Sequence, residues 1–222
     1  MPGDPVPRSN AFYFLSRRLA QLLARLLVRL TVIGADSVPA QGGVLIVANH
    51  LSVADPPLLT AVCSRPLAFM GKAELFRNPL LAVVFRGWRV FPVRRGEFDV
   101  SAVRFALGLL SKGEALVVFP EGTRHPGGLG EALPGIGFFA ARSACPVVPV
   151  GIQGTEVIHG FWSLRRRPTV RVSFGESFVV PRASAEEGAE LIMRGIAAML
   201  PPGRGGRYAV ATSAGAPVAA DS

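Results

Sequence analysis

Residues 10–30 read NAFYFLSRRLAQLLARLLVRL, and within them Arg17, Gln21, Arg25 and Arg29 recur every four positions with Arg18 alongside. At helical periodicity this spacing makes one narrow polar stripe on a helix otherwise covered by Leu, Phe and Ala. Beyond it the pattern changes. Short apolar runs at 28–33, 44–48, 67–70, 89–93, 115–119, 147–150 and 169–174 alternate with helical patterns at 56–62, 79–85, 100–110, 135–142 and 185–199. This alternation predicts a single α/β domain, with a largely parallel mixed β-sheet flanked by helices and an N-terminal amphipathic helix. Residues 1–9 are proline-rich and residues 201–222 are rich in Gly, Ala, Pro and Ser. Both ends are expected to be disordered, leaving 31–200 as the folded domain.

Composition narrows the picture. Half of the 222 residues are apolar, which excludes disorder for the bulk of the chain. The two cysteines, Cys63 and Cys145, fit no metal motif and read as reduced, buried thiols. The formal charge is +9, and 22 of the 24 basic residues are arginine. A surplus of this size calls for an anionic partner. No aromatic-basic signature or basic recognition helix is present, so nucleic acid is not the expected partner. The helix at 10–30 would be roughly 30 Å long, enough to cross a bilayer. Arginine near the bilayer centre costs about 2.5–3.5 kcal/mol, however, which several arginines multiply. The expectation is instead a helix lying on an anionic membrane surface with its arginines among the headgroups. Packing on its own domain with the arginines towards solvent is the alternative, and the two combine if one apolar edge faces the domain. The protein is thus expected peripherally, on the cytoplasmic face of a membrane.

Three polar clusters follow apolar runs, where open α/β sheets collect function. After VLIVA come Asn49, His50, Leu51, Ser52, Val53, Ala54, Asp55, Pro56 and Pro57. Asp55 suits the N-cap of a helix with Pro56 at its first position. A strand-to-helix turn can bring Asp55 against one nitrogen of His50, fixing the tautomer and leaving the other nitrogen as a base. After ALVVF come Pro120, Glu121, Gly122, Thr123 and Arg124, a tight turn that could cradle an anion. Between them lie Lys72, Arg77, Arg86, Arg89, Arg94 and Arg95, of which Lys72 and Arg94 abut strand ends. There is no Gly-x-Ser-x-Gly elbow, Walker loop, GxGxxG or HExxH, and no metal-spaced set of ligands. No cofactor or metal is expected. An enzyme built on these residues would activate its substrate's own nucleophile.

Taken together, the clusters resemble the glycerolipid acyltransferase family, in particular the 1-acylglycerol-3-phosphate (lysophosphatidate) acyltransferases. Residues 49–55 match the family's NHxxxxD block and residues 119–124 match FPEGTR residue for residue. Residues 87–94, 147–151 and 72–75 look like its remaining blocks, so the resemblance covers about 32–178. It implies transfer of a fatty acyl group from acyl-CoA or acyl-carrier protein to the hydroxyl of a lysophospholipid acceptor, giving phosphatidic acid from 1-acylglycerol-3-phosphate. In this reading His50 is the base and Asp55 orients it. Lys72, Arg94 and Arg124 hold the acceptor phosphate, with Gly122 and Thr123 in the same binding turn. Glu121 binds the headgroup or holds the arginines. Turn amides near Asn49 or Gly122 are the candidate oxyanion donors. Two positions depart from the family: His125 stands where serine is common, and Pro134 where a basic residue commonly precedes the glycine. Both bear on the acceptor more than on the chemistry. Another lysophospholipid or a glycolipid acceptor, or a non-catalytic anionic-lipid-binding protein, are the competing readings.

Overall fold

In a computed structural model, which describes residues 11–94, 99–133, 135–160, 163, 165–181 and 184–209, each apolar run becomes a strand. These are β1 (Arg29–Ile33), β2 (Val44–Ala48), β3 (Leu67–Lys72), β4 (Val90–Val93), β5 (Ala115–Val118), β6 (Val147–Gln153) and β7 (Thr169–Phe174). They form one seven-stranded sheet in the order β1-β7-β6-β2-β5-β3-β4. Strands β2 to β6 run parallel, while β7 pairs antiparallel with β6 and carries β1 beside it, so the sheet is mixed but largely parallel. Every residue of the central β2 is buried, as its unbroken apolar sequence requires.

The helices are α1 (Ala11–Leu27), α2 (Asp55–Val62), α3 (Pro79–Gly87), α4 (Val100–Ser111), α5 (Ile136–Ser143) and α6 (Ala185–Ala198). Leu45 and Val47 face one layer, where Ala106, Leu109, Phe139, Ile192 and Ile196 of α4, α5 and α6 pack. Val44, Ile46 and Ala48 face the other, beneath Leu58 and Leu59 of α2 and Ala24 of α1. The chain therefore leaves β2 towards one face and its neighbour β5 towards the other. A crevice opens where they diverge, at the carboxyl ends of the strands.

The predicted polar stripe of the N-terminal helix is divided: Arg18, Arg25 and Arg29 are exposed, as expected, but its other two members are not. Arg17 and Gln21 point inwards, not to solvent or headgroups. The Arg17 guanidinium donates to the carbonyls of Cys63 (2.6 Å) and Ser64 (3.4 Å), and Gln21 donates to the carbonyl of Ala61 (3.1 Å). These carbonyls end α2, where a helix leaves acceptors unpaired and favours positive charge. Tyr13 is buried and its hydroxyl accepts from the Leu67 N–H (2.8 Å). The leucines are left outside: Leu15, Leu19, Leu22 and Leu26 are each more than half exposed, flanked by exposed Arg18 and Arg25. The helix also stops at Leu27, short of 30. From Arg29 the backbone is taken up by pairing with β7.

The C-terminal expectation needs a second correction. Residues 201–209 are not a loose tail: Tyr208 is buried in the core, and the Arg204 carbonyl accepts from Leu129 N–H. Residues 1–9 and 210–222, with Arg95 and Pro134, lie outside the described residues. Both cysteines are free; Cys63 is buried and Cys145 half-buried.

Candidate active site

The site grows from the end of β2. Asn49 is buried, and its side chain acts as one more rung between β2 and β6. Its amide donates to the Ile152 carbonyl (2.9 Å) and its oxygen accepts from the Ile152 N–H (2.7 Å). The loop that follows folds back over Asp55. One carboxylate oxygen of Asp55 accepts from the N–H groups of Leu51 (2.7 Å) and Ser52 (2.8 Å) and lies 2.8 Å from His50 Nδ1. The other accepts from the Thr155 hydroxyl at 2.6 Å. Asp55 is fully buried, and an ionised carboxylate only accepts. Nδ1 therefore carries the imidazole proton, leaving Nε2 with its lone pair free. The His50 ring stacks on Phe119, with centroids 4.1 Å apart. Asp55 is not the N-cap expected of it: Ala54 occupies that position, and Asp55 opens α2 with its carboxylate reaching back across the loop.

The turn after β5 is fastened to this loop. Glu121 is buried; one of its oxygens accepts from His50 N–H (2.8 Å) and the other from Gly130 N–H (2.9 Å). His125 N–H donates to the His50 carbonyl (2.7 Å). Burial pushes the Glu121 carboxyl above the usual carboxylate range. The two N–H donors and the neighbouring His125 and His50 pull it the other way. Glu121 does not reach the cavity: both of its oxygens hold backbone, which corrects its expected role as a substrate contact. At Gly122 the backbone is left-handed (φ 68°), and a Cβ there would collide with Leu133, so this turn requires glycine.

His50 opens on a cavity of about 610 Å³. Phe69, Phe85, Trp88, Val117, Phe138 and Phe139 supply apolar wall, and Lys72, Arg94, Gly122, Thr123 and Arg124 also line it. Five of the predicted substrate contacts thus share one cavity with the predicted base. Arg94 is oriented by Asp99, which accepts from its N–H (3.0 Å) and lies 3.5 Å from its Nε. The Ser101 hydroxyl and the Arg94 N–H hold the Asp99 carboxyl well below the usual carboxylate range. Lys72 lies 3.6 Å from Glu74, and Arg124 is exposed with no ion pair among the described residues. Arg89, one of the basic residues between the motifs, points elsewhere: it is buried against Glu114 (2.9 Å), at the start of β5. Sequence reasoning gave no role to Thr155, to the stacking of Phe119, or to Asn49 as a rung.

The model of the family described as Acyltransferase matches residues 29–153. The chain belongs to this family. Both motif loops lie inside the matched segment, and Thr155 lies just beyond it. A 1-acyl-sn-glycerol-3-phosphate acyltransferase of Streptococcus pneumoniae is 27% identical over 162 residues, covering 71% of this chain and 59% of that protein. A lyso-ornithine lipid O-acyltransferase of Pseudomonas aeruginosa is 38% identical over 110 residues, covering 49% and 41%. The crystal structure of the 1-acyl-sn-glycerophosphate acyltransferase from Thermotoga maritima superposes with a TM-score of 0.66 at 26% identity, covering 83% of this chain and 78% of that one. The chain spans between half and three-fifths of the length of the curated relatives it matches first.

Proposed function

We propose that this acyltransferase-family protein moves a fatty acyl group from a thioester, acyl-CoA or acyl-carrier protein, to the free hydroxyl of a lysophospholipid, with 1-acylglycerol-3-phosphate as the acceptor. The observation that carries the reading is the buried His50–Asp55 pair opening on a cavity that is apolar along its wall and carries Lys72, Arg94 and Arg124 as well. Nε2 of His50 takes the acceptor hydroxyl proton as the oxygen attacks the thioester carbonyl. Asp55 holds the ring and stabilises the imidazolium. The tetrahedral adduct collapses, the carbon–sulfur bond breaks, and the imidazolium returns its proton to the departing thiolate, so the base is regenerated. Apolar wall suits acyl chains, and the guanidinium forks of Arg94 and Arg124 suit a phosphate.

Substrate access agrees with the outer surface. Leu80 and Val83 of α3 are exposed, as are the leucines of α1, and Phe12 of α1 lies over Gly87 at the end of α3. Phe12 thus brings α1 beside the end of α3, and Phe85 of α3 and Trp88 after it line the cavity. No helix among the described residues is long and apolar enough to cross a membrane. This surface lies in the interface of an anionic membrane, with Arg18 and Arg25 at the headgroups.

The relative from P. aeruginosa, named as a lyso-ornithine lipid O-acyltransferase, supports a second acceptor reading. The test is purified protein with radiolabelled acyl-CoA or acyl-carrier protein against lysophosphatidate, lyso-ornithine lipid and uncharged monoacylglycerol. Lysophosphatidate acylation, lost in His50→Ala by roughly 10²–10⁴-fold, is expected. Preference for lyso-ornithine lipid would move the acceptor assignment, and equal turnover by His50→Ala would refute the mechanism.

A further inference from the structure

Asp55 receives hydrogen bonds from its own loop and one from far away. The distant donor is the Thr155 hydroxyl, 100 residues on in the chain, and both residues are completely buried. The topology explains the meeting. β2 and β6 are neighbours in register, so the residues just beyond their carboxyl ends face each other. At Gly154 the chain turns with φ 85°, where a Cβ would collide with the Thr169 carbonyl, and this sharp turn delivers Thr155 to Asp55. Glu156 accepts from the Gly154 N–H (2.7 Å) and from Arg204 (3.0 Å), pinning the turn from its far side.

We infer that Thr155 is a positioning residue of the acyl-transfer site, acting through Asp55 on His50; the inference rests on the reading of His50 as the base. Without Thr155, the oxygen of Asp55 turned away from His50 has no hydrogen bond among the described residues, and the carboxylate is held through its other oxygen alone. With it, both oxygens are fixed, and the oxygen facing Nδ1 stays in line with the ring. Thr155 is fully buried and is not among the residues that line the cavity at His50. Its effect is to keep Nε2 aimed at the acceptor hydroxyl. Its hydroxyl proton also places positive potential near the ring, which disfavours the imidazolium slightly. The other charged groups around His50 are Glu121 and His125 on the turn after β5, and Lys72, Arg94, Asp99 and Arg124 around the cavity. The variants below leave all of these in place.

The experiment compares wild type, Thr155→Val, Thr155→Ala and Thr155→Ser as full chains. It has two readouts besides melting temperature. One is kcat and KM for both substrates. The other is titration of the His50 C2–H resonance by NMR, one of only three histidines in the chain, assigned by its absence in His50→Ala. Thr155→Val is expected to lower kcat by about 10- to 100-fold, the size of a lost hydrogen bond to a charged group. Both KM values should hold within about twofold. The His50 midpoint should rise by about half a pH unit as the hydroxyl dipole is removed. Thr155→Ser should restore both. A kcat and midpoint in Thr155→Val equal to wild type would overturn the inference. So would losses that follow melting temperature alike in all three variants, or failure of both Thr155→Val and Thr155→Ala to fold while the His50 midpoint is normal in Thr155→Ser, since the hydroxyl would then serve stability. The titration needs no turnover. An inactive wild type would therefore defeat the acyl-transfer reading, while the midpoint still decides whether Thr155 acts on His50.

Discussion

The exposed face of α1 allows a quantitative test of where the protein meets a membrane. Leu15 is 71% exposed, Leu19 54% and Leu26 59%, all on the side away from Tyr13, Arg17 and Gln21. Burying a whole leucine side chain is worth about 1.5–3 kcal/mol, so moving the exposed part of each into an apolar interface contributes about 1 kcal/mol. Leu15→Gln, Leu19→Gln and Leu26→Gln together should therefore weaken vesicle partitioning by about 3 kcal/mol, close to 100-fold. Arg18 and Arg25 add about 1 kcal/mol each near an anionic surface. Raising salt should thus cost less than the triple substitution. Flotation with phosphatidylcholine vesicles, with and without phosphatidylglycerol, reads both contributions. Melting temperature should stay put, because the inner face that grips α2 and Leu67 is untouched. Partitioning of the triple variant within a few-fold of wild type would show that the membrane contact is not α1. Binding that vanishes entirely with salt would show that the leucines contribute nothing.

Three further outcomes are expected. Arg124→Ala should lower kcat/KM for lysophosphatidate by about 10- to 100-fold while sparing an uncharged monoacylglycerol, and Arg124→Lys should recover only part, since a point charge lacks the fork. Equal losses on both acceptors would remove Arg124 from the phosphate. Glu121→Gln should destabilise by about 1–3 kcal/mol, because its amide nitrogen must face the N–H of His50 or Gly130, and chemical denaturation at neutral pH measures this. Burial raises the Glu121 carboxyl above its ordinary 4.5, so the native state holds that proton more tightly than the unfolded chain. Its contribution to stability therefore falls as pH rises from about 4.5 through the raised value, and this part of the slope should be missing from Glu121→Gln melting curves.

The strands and helices were legible because each buried strand is a short apolar run and each helix shows its period. The pairing of His50 with Asp55 was legible for a local reason: the two are five residues apart, and a strand-to-helix turn closes that gap. What escaped involves partners distant in the chain. Asn49 bonds to Ile152, 103 residues away, and only the adjacency of β2 and β6 brings them together. Glu121, a charged residue in a glycine turn, reads as a ligand contact until its two N–H partners are known. The orientation of α1 was hidden in the same way. An amphipathic pattern defines two faces and does not say which is inside. Arginine on the inner face is favourable here because the end of α2 offers it carbonyls, 46 residues from Arg17.

The division between fixed and exposed groups bears on how such a site can be varied. His50 and Asp55 are tied to three separate elements through buried hydrogen bonds: their own loop, the turn bearing Glu121, and the turn bearing Thr155. A base held this way loses little to reorganisation when charge develops on the ring, which is the advantage of preorganised polar surroundings. It also resists change, because altering any one partner leaves a buried donor or acceptor unpaired. Lys72, Arg94 and Arg124 are under the opposite conditions. They stand largely in solvent around the cavity; Arg94 meets buried Asp99 through its side chain and its N–H, and any non-proline residue preserves the N–H bond. In the proposed reaction, selectivity for the acceptor headgroup can therefore drift at the rim without disturbing the proton transfer beneath it. The variants already described separate the two layers. Rim substitutions should change the ratio of rates between acceptors, whereas Thr155→Val should slow every acceptor by the same factor.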